Sequence, residues 1–83
     1  MDFSRAGYVH SLPDAYRARA KWNDYGRPRE CYGPRRPDEA TAKLDLESMR
    51  TAASGMGRQE GFAAMEAEAK RLREGTATRT EGT

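Results

Sequence analysis

With 83 residues, of which 34% are charged and 36% hydrophobic, the chain is limited to one small domain. Alanine dominates the hydrophobic set, isoleucine is absent and Val9 is the single valine, which excludes a broad β-sandwich or a parallel sheet, since both need many branched aliphatics. The formal net charge is only +2, and the one cysteine, Cys31, rules out an intrachain disulfide and a cysteine-based zinc site.

Met1-Asp2-Phe3-Ser4-Arg5 lacks the basic-then-apolar layout of a secretory leader, and no stretch is apolar enough for a membrane span. The expectation is a soluble chain, and an unpaired cysteine favours a reducing intracellular compartment, the nucleus or an organelle. A first strand is expected over about 7–12, closed by the Pro13-Asp14 turn. From Tyr16 the sequence alternates strictly, Tyr-Arg-Ala-Arg-Ala-Lys-Trp. This predicts a strand over about 15–22 with Tyr16, Ala18, Ala20 and Trp22 on one face and Arg17, Arg19 and Lys21 on the other. Asn23-Asp24-Tyr25-Gly26 then predicts a hairpin turn, with a returning strand over about 28–32 entered at Pro28.

Pro37-Asp38-Glu39 is a helix-start pattern, with proline at the first helical position and acids in the first turn. Ala42, Leu46, Met49 and Ala53 share one face of a helix over about 37–53, directed at the sheet. Ala40 and Leu44 point the other way, so a second element must cover them or they remain exposed. Gly55 and Gly57 break the chain, and a second amphipathic helix is expected over about 58–74, with Phe62, Met65, Ala69 and Leu72 on its apolar face and Gly75 as its C-terminal cap. Residues 76–83 form a polar tail with nothing to bury, expected to be disordered in isolation. The fold class is α+β: one domain over 1–75 with a two- or three-stranded antiparallel sheet packed on a helix, followed by the second helix. Tyr16, Trp22, Leu46 and Met49 are expected at the centre of the core.

Charge is distributed by segment. Residues 16–36 carry Arg17, Arg19, Lys21, Arg27, Arg29, Arg35 and Arg36 against Asp24 and Glu30, a local +5, while the segments on either side are weakly negative. Clustering of this kind is the footprint of a polyanion binder, and arginine over lysine favours bidentate contacts to phosphate or bases as well as interface salt bridges. Two partners fit: nucleic acid, DNA before RNA, docked on a basic sheet face, or protein subunits of a large protein or ribonucleoprotein assembly, in which the chain is a small accessory subunit.

Catalytic chemistry has no comparable signal, and no enzyme activity, cofactor or metal is expected. His10 is the only histidine and assembles neither a ligand set nor a triad. Cys31 is expected as a half-buried strand residue, although nearby arginines could activate its thiol. Gly55-Met-Gly57-Arg-Gln-Glu-Gly61 has the third glycine one place late for a dinucleotide loop and follows a helix, so it is taken as an interhelical loop. Glu60, Glu66 and Glu68 belong to a solvated helix face. Met49, Met65 and Phe62 are more economically core than a binding groove.

The run Tyr16-Arg-Ala-Arg-Ala-Lys-Trp22, then Cys31-Tyr-Gly33, then Asp38-Glu-Ala-Thr-Ala-Lys-Leu-Asp45, resembles the plant ethylene-response-factor type of DNA-binding domain and the related arm of tyrosine integrases, over residues 7–53. The resemblance implies a three-stranded antiparallel sheet packed on one helix, with the sheet in the DNA major groove. It implies DNA contacts for Arg17, Arg19 and Trp22, a strand end at Tyr32-Gly33, and helix positions at Ala40, Ala42 and Asp45. Pro34-Arg35-Arg36 stands where that family has an aromatic residue after the glycine, and the second helix has no counterpart in the minimal domain. Together the segment charge and the resemblance make Arg17, Arg19, Lys21, Trp22, Arg27, Arg29, Arg35 and Arg36 the candidate nucleic-acid-binding residues.

Overall fold

The computed structural model describes residues 3–81, with side-chain surroundings described as far as Gly75. The expected α+β architecture is present with all three strands: β1 (Tyr8–Ser11), β2 (Tyr16–Asp24) and β3 (Arg27–Tyr32) form one antiparallel sheet in the order β1-β2-β3, followed by α1 (Glu39–Ala53) and α2 (Arg58–Glu81).

The central strand β2 follows its period-2 pattern. Ala18 and Ala20 are fully buried under the helices, and side chains this short let α1 lie close on the sheet. Pairing with β2 outlasts β3. Gly33 N–H donates to Ala18 O at 2.9 Å, and Tyr16 and Arg36 exchange backbone hydrogen bonds of 2.9 and 2.7 Å. The hairpin is tighter than the Asn23–Gly26 turn expected, because Asn23 pairs with Pro28 and Asp24 with Arg27. Only Tyr25 and Gly26 remain as the loop, with φ of 51° and 84°. Positive φ at both loop residues is the type I′ geometry, whose twist matches the flanking strands.

At the start of α1, Asp38 is the cap rather than Pro37 the first helical residue. One carboxylate oxygen of Asp38 accepts the Thr41 N–H at 2.8 Å, and the Thr41 hydroxyl donates to the same carboxylate at 2.9 Å. These bonds hold the Asp38 carboxyl below the usual carboxylate range. The stripe Ala42, Leu46, Met49 and Ala53 is buried as its spacing predicts. On the remaining part of α1, Arg50 reaches the N-terminal segment, donating from Nε to Ala6 O at 2.7 Å and from Nη2 to Gly7 O at 3.2 Å.

Phe62, Met65 and Ala69 of α2 join the same cluster, with Leu72 and Trp22 packed against it. Met49 and Met65 are its largest fully enclosed side chains, so the methionines are core and not a groove. Phe3 is a core residue that periodicity did not reveal. Its ring meets Phe62 edge-on at 5.3 Å and sits over Gly61, where a Cβ would stand 2.0 Å from Phe3 Cζ. The third glycine of the Gly55–Gly61 run is therefore a seat for Phe3.

Two expectations are corrected. Tyr16 is only half-buried and lies outside the central cluster. Leu44 stays 64% exposed, the second of the two outcomes open to it, because both helices turn their apolar stripes into one cluster with the sheet and α2 leaves the back of α1 open. Gly75 does not end α2, whose backbone continues to Glu81. One glycine costs a helix about 1 kcal/mol, and no proline follows to stop it. The last part of the expected tail, 82–83, lies outside the described residues.

Candidate nucleic-acid interface

Register assembles the outer face of the sheet. Tyr8 lies opposite Arg19 and His10 opposite Arg17 across β1 and β2, while Glu30 lies opposite Lys21 and Tyr32 opposite Arg19 across β2 and β3. Directly opposed residues share a face. Arg17, Arg19 and Lys21 are thus brought together as expected, and rings from both flanking strands interleave with them.

The Arg17 guanidinium lies over the Tyr32 ring, 4.1 Å from its centroid, and the Tyr8 and His10 rings meet edge-on at 6.4 Å. Arg19 Nη2 donates to Glu30 Oε2 at 2.5 Å. That bond holds the Glu30 carboxyl below its ordinary range and raises Arg19. Among the described residues, neither Arg17 nor Lys21 forms an ion pair with a carboxylate. Among the described residues, Nδ1 of His10 and Nε of Arg17 and Arg19 are enclosed without a hydrogen-bond partner.

The other sequence candidates go elsewhere. Trp22 faces the helices, its ring stacked on Phe62 at 4.8 Å with an interplanar angle of 3°. Arg29 pairs with Trp22 and Arg27 with Asp24, so both arginines also belong to the helix side, and Arg29 reaches Asp24 at 3.5 Å and Glu66 at 3.4 Å. The grouping of Arg27, Arg29 and Trp22 with the outer-face cations is therefore corrected. Loop parity carries the signal. A hairpin loop with an even number of residues sets odd-numbered positions of β3 beside even-numbered positions of β2, whereas the expected strands, ending at 22 and resuming at 28, left an odd number of residues between them. Arg36 is committed to the fold, donating to Asp45 from Nε at 2.7 Å and from Nη2 at 3.0 Å. Arg35 remains exposed at the chain exit from β3, 3.9 Å from Asp14.

Cys31 is buried on the helix side, and desolvation pushes its thiol up to about 11, so it is a protonated core group at neutral pH. A cleft of about 310 Å³ between the hairpin tip and α2 is lined by Trp22, Asp24, Tyr25, Arg29, Gln59, Ala63 and Glu66. The charges there are paired with one another, and the Tyr25 hydroxyl donates to Gln59 at 2.9 Å. Among the described residues no cluster of His, Cys, Asp and Glu is arranged to hold a metal ion, and no helix is long and apolar enough to cross a membrane. No protein-family model, curated protein or solved structure matches the chain.

Proposed function

We propose that this chain binds nucleic acid, double-stranded DNA before RNA, through the outer face of its sheet. The observation that carries this reading is the placement of Arg17, Arg19 and Lys21 on the one face of the sheet that neither helix covers. Alternate residues along a strand are about 6.8 Å apart, about two base-pair rises of 3.4 Å, so successive cations keep step with a duplex. Arginine held flat presents paired donors to guanine edges or phosphate. Because the Tyr32 ring already carries Arg17, it supports a guanidinium and is not a free platform for an unstacked base, which favours a duplex over a single strand. The sheet-then-helix order of the ethylene-response-factor type supports the same reading, with Arg17 and Arg19 as contacts and Trp22 as core.

Replacing Arg17 and Arg19 together by glutamine tests it. Binding to a mixed-sequence duplex should weaken, and the slope of log K against log salt should flatten by at least about 0.9, the value for the one phosphate that Arg17 neutralises, since Arg19 is already paired with Glu30. Unchanged affinity at low salt removes the proposal. A second reading, an accessory subunit docked on other proteins, has the thin core in its favour, since among the described residues six of the twelve buried hydrophobics are alanine. An isolated chain without a cooperative unfolding transition would support that reading.

A further inference from the structure

Behind the sheet, α2 packs against the core through Phe62, Met65 and Ala69. One turn further on, Arg73 leaves that layer. Its Nη1 donates to the backbone carbonyl of Tyr32, and its guanidinium carbon lies 5.6 Å from the centroid of the Tyr32 ring. Tyr32 ends β3, an edge strand, so Arg73 reaches around the sheet edge to a ring of the outer face. The same ring carries Arg17 at 4.1 Å.

Two guanidiniums on one ring lie within about 10 Å of each other, about one Debye length at 0.1 M salt, so their repulsion is only partly screened. Among the described residues neither has a carboxylate ion-pair partner. Arg73 is exposed and spends one of its donors on the Tyr32 carbonyl, leaving the others for a ligand. Glu30 feels the charge of Arg17 but pairs with Arg19, so the two like charges gathered on one support remain complementary to an anion from outside.

We infer that Arg73 of α2 is part of the interface and binds a backbone phosphate of the duplex at the β3 edge, next to the groove contacts of Arg17. This rests on the sheet-face reading above and extends it to an element behind the sheet. Lys70 is the matched control, a basic residue one turn earlier on α2 that pairs with Glu74 at 3.8 Å.

The test measures binding of the full chain to a fluorescein-labelled mixed-sequence DNA duplex by anisotropy, between about 50 and 200 mM salt. Arg73→Gln should lower the slope of log K against log salt by about 0.9, so that the rise in salt costs the variant about 3.5-fold less affinity than it costs the parent chain. Arg73→Lys should keep the slope, and Lys70→Gln should leave it unchanged. The inference is overturned if the parent binds and Arg73→Gln keeps its slope while melting at a lower temperature, which would make Arg73 a strut between α2 and β3. An equal effect of Lys70→Gln would reduce the result to general charge and also overturn it. If the parent shows no salt-dependent duplex binding, or polyglutamate displaces the duplex at equal charge concentration, the sheet-face reading itself falls and takes this inference with it.

Discussion

Replacing Gly61 by alanine sets helix propensity against core fit. Gly61 lies in the first turns of α2, and a Cβ there would approach Phe3 Cζ to 2.0 Å and Cε2 to 2.2 Å. Propensity alone would make alanine stabilising by about 0.5 to 1 kcal/mol. The ring of Phe3 must leave, however, and it is 3% exposed and in edge-on contact with Phe62. Expelling it forfeits about 2 to 3 kcal/mol of burial and about 1 kcal/mol from the aromatic pair. The net expectation is a loss of about 2 to 3 kcal/mol, lowering Tm by roughly 10 to 20 °C for a domain of this size. Urea and thermal unfolding followed by circular dichroism measure it. The colliding atoms, Cζ, Cε1 and Cε2, are all absent from leucine. In a Phe3→Leu background, Gly61→Ala should therefore reverse sign and stabilise by up to about 1 kcal/mol. The reasoning is refuted if Gly61→Ala stabilises the parent chain, or costs the same in both backgrounds.

Tyr25 holds a φ of 51° in the hairpin loop, a conformation that costs a bulky residue about 1 to 2 kcal/mol and that asparagine tolerates. Tyr25→Asn gives up the exposed bond to Gln59 but should still raise Tm, by up to about 4 °C, and a Tm lower than that of Tyr25→Phe would contradict the turn assignment. With its pKa at about 11, Cys31 should resist iodoacetamide at neutral pH in the folded chain and react on unfolding. The fold favours the protonated thiol, so stability is full below the ordinary thiol pKa of about 8.5 and declines as pH rises towards 11. Rapid alkylation of the native protein at pH 7 would count against this. Arg36→Met should strand the buried Asp45 carboxylate and cost about 3 kcal/mol in urea unfolding, while leaving the salt slope of DNA binding unchanged. A flattened slope at full stability would return Arg36 to the interface.

What could be read from sequence depended on whether a single period fixed the answer. The alternation from Tyr16 to Trp22 fixed both faces of β2, and the spacing of Ala42, Leu46, Met49 and Ala53 fixed the buried side of α1, since each stripe has one place to go. Strand β3 has no such pattern. Arg-Pro-Arg-Glu-Cys-Tyr is polar on both faces for most of its length, so its sidedness came only from the loop before it, and parity assigned Arg27 and Arg29 to the helix side. Arg36 looked like its neighbour Arg35. Only the turn of chain that pairs it with Tyr16 brings it to Asp45. Phe3, standing alone ahead of the first strand, and Arg73, on the charged end of a helix, make contacts far away in sequence, and no local pattern announces either.

Phe3 also constrains the order in which the molecule can be completed. When the sheet and α1 have emerged from the ribosome, the glycine seat and the Phe62 ring have not yet been made. The beginning of the chain must wait for α2 before it can lock, and closing so long a loop is entropically the slowest kind of contact to form. Until then the helix-facing side of the sheet is only half covered. The N-terminal segment should be the last part to gain protection from hydrogen exchange and the first to lose it.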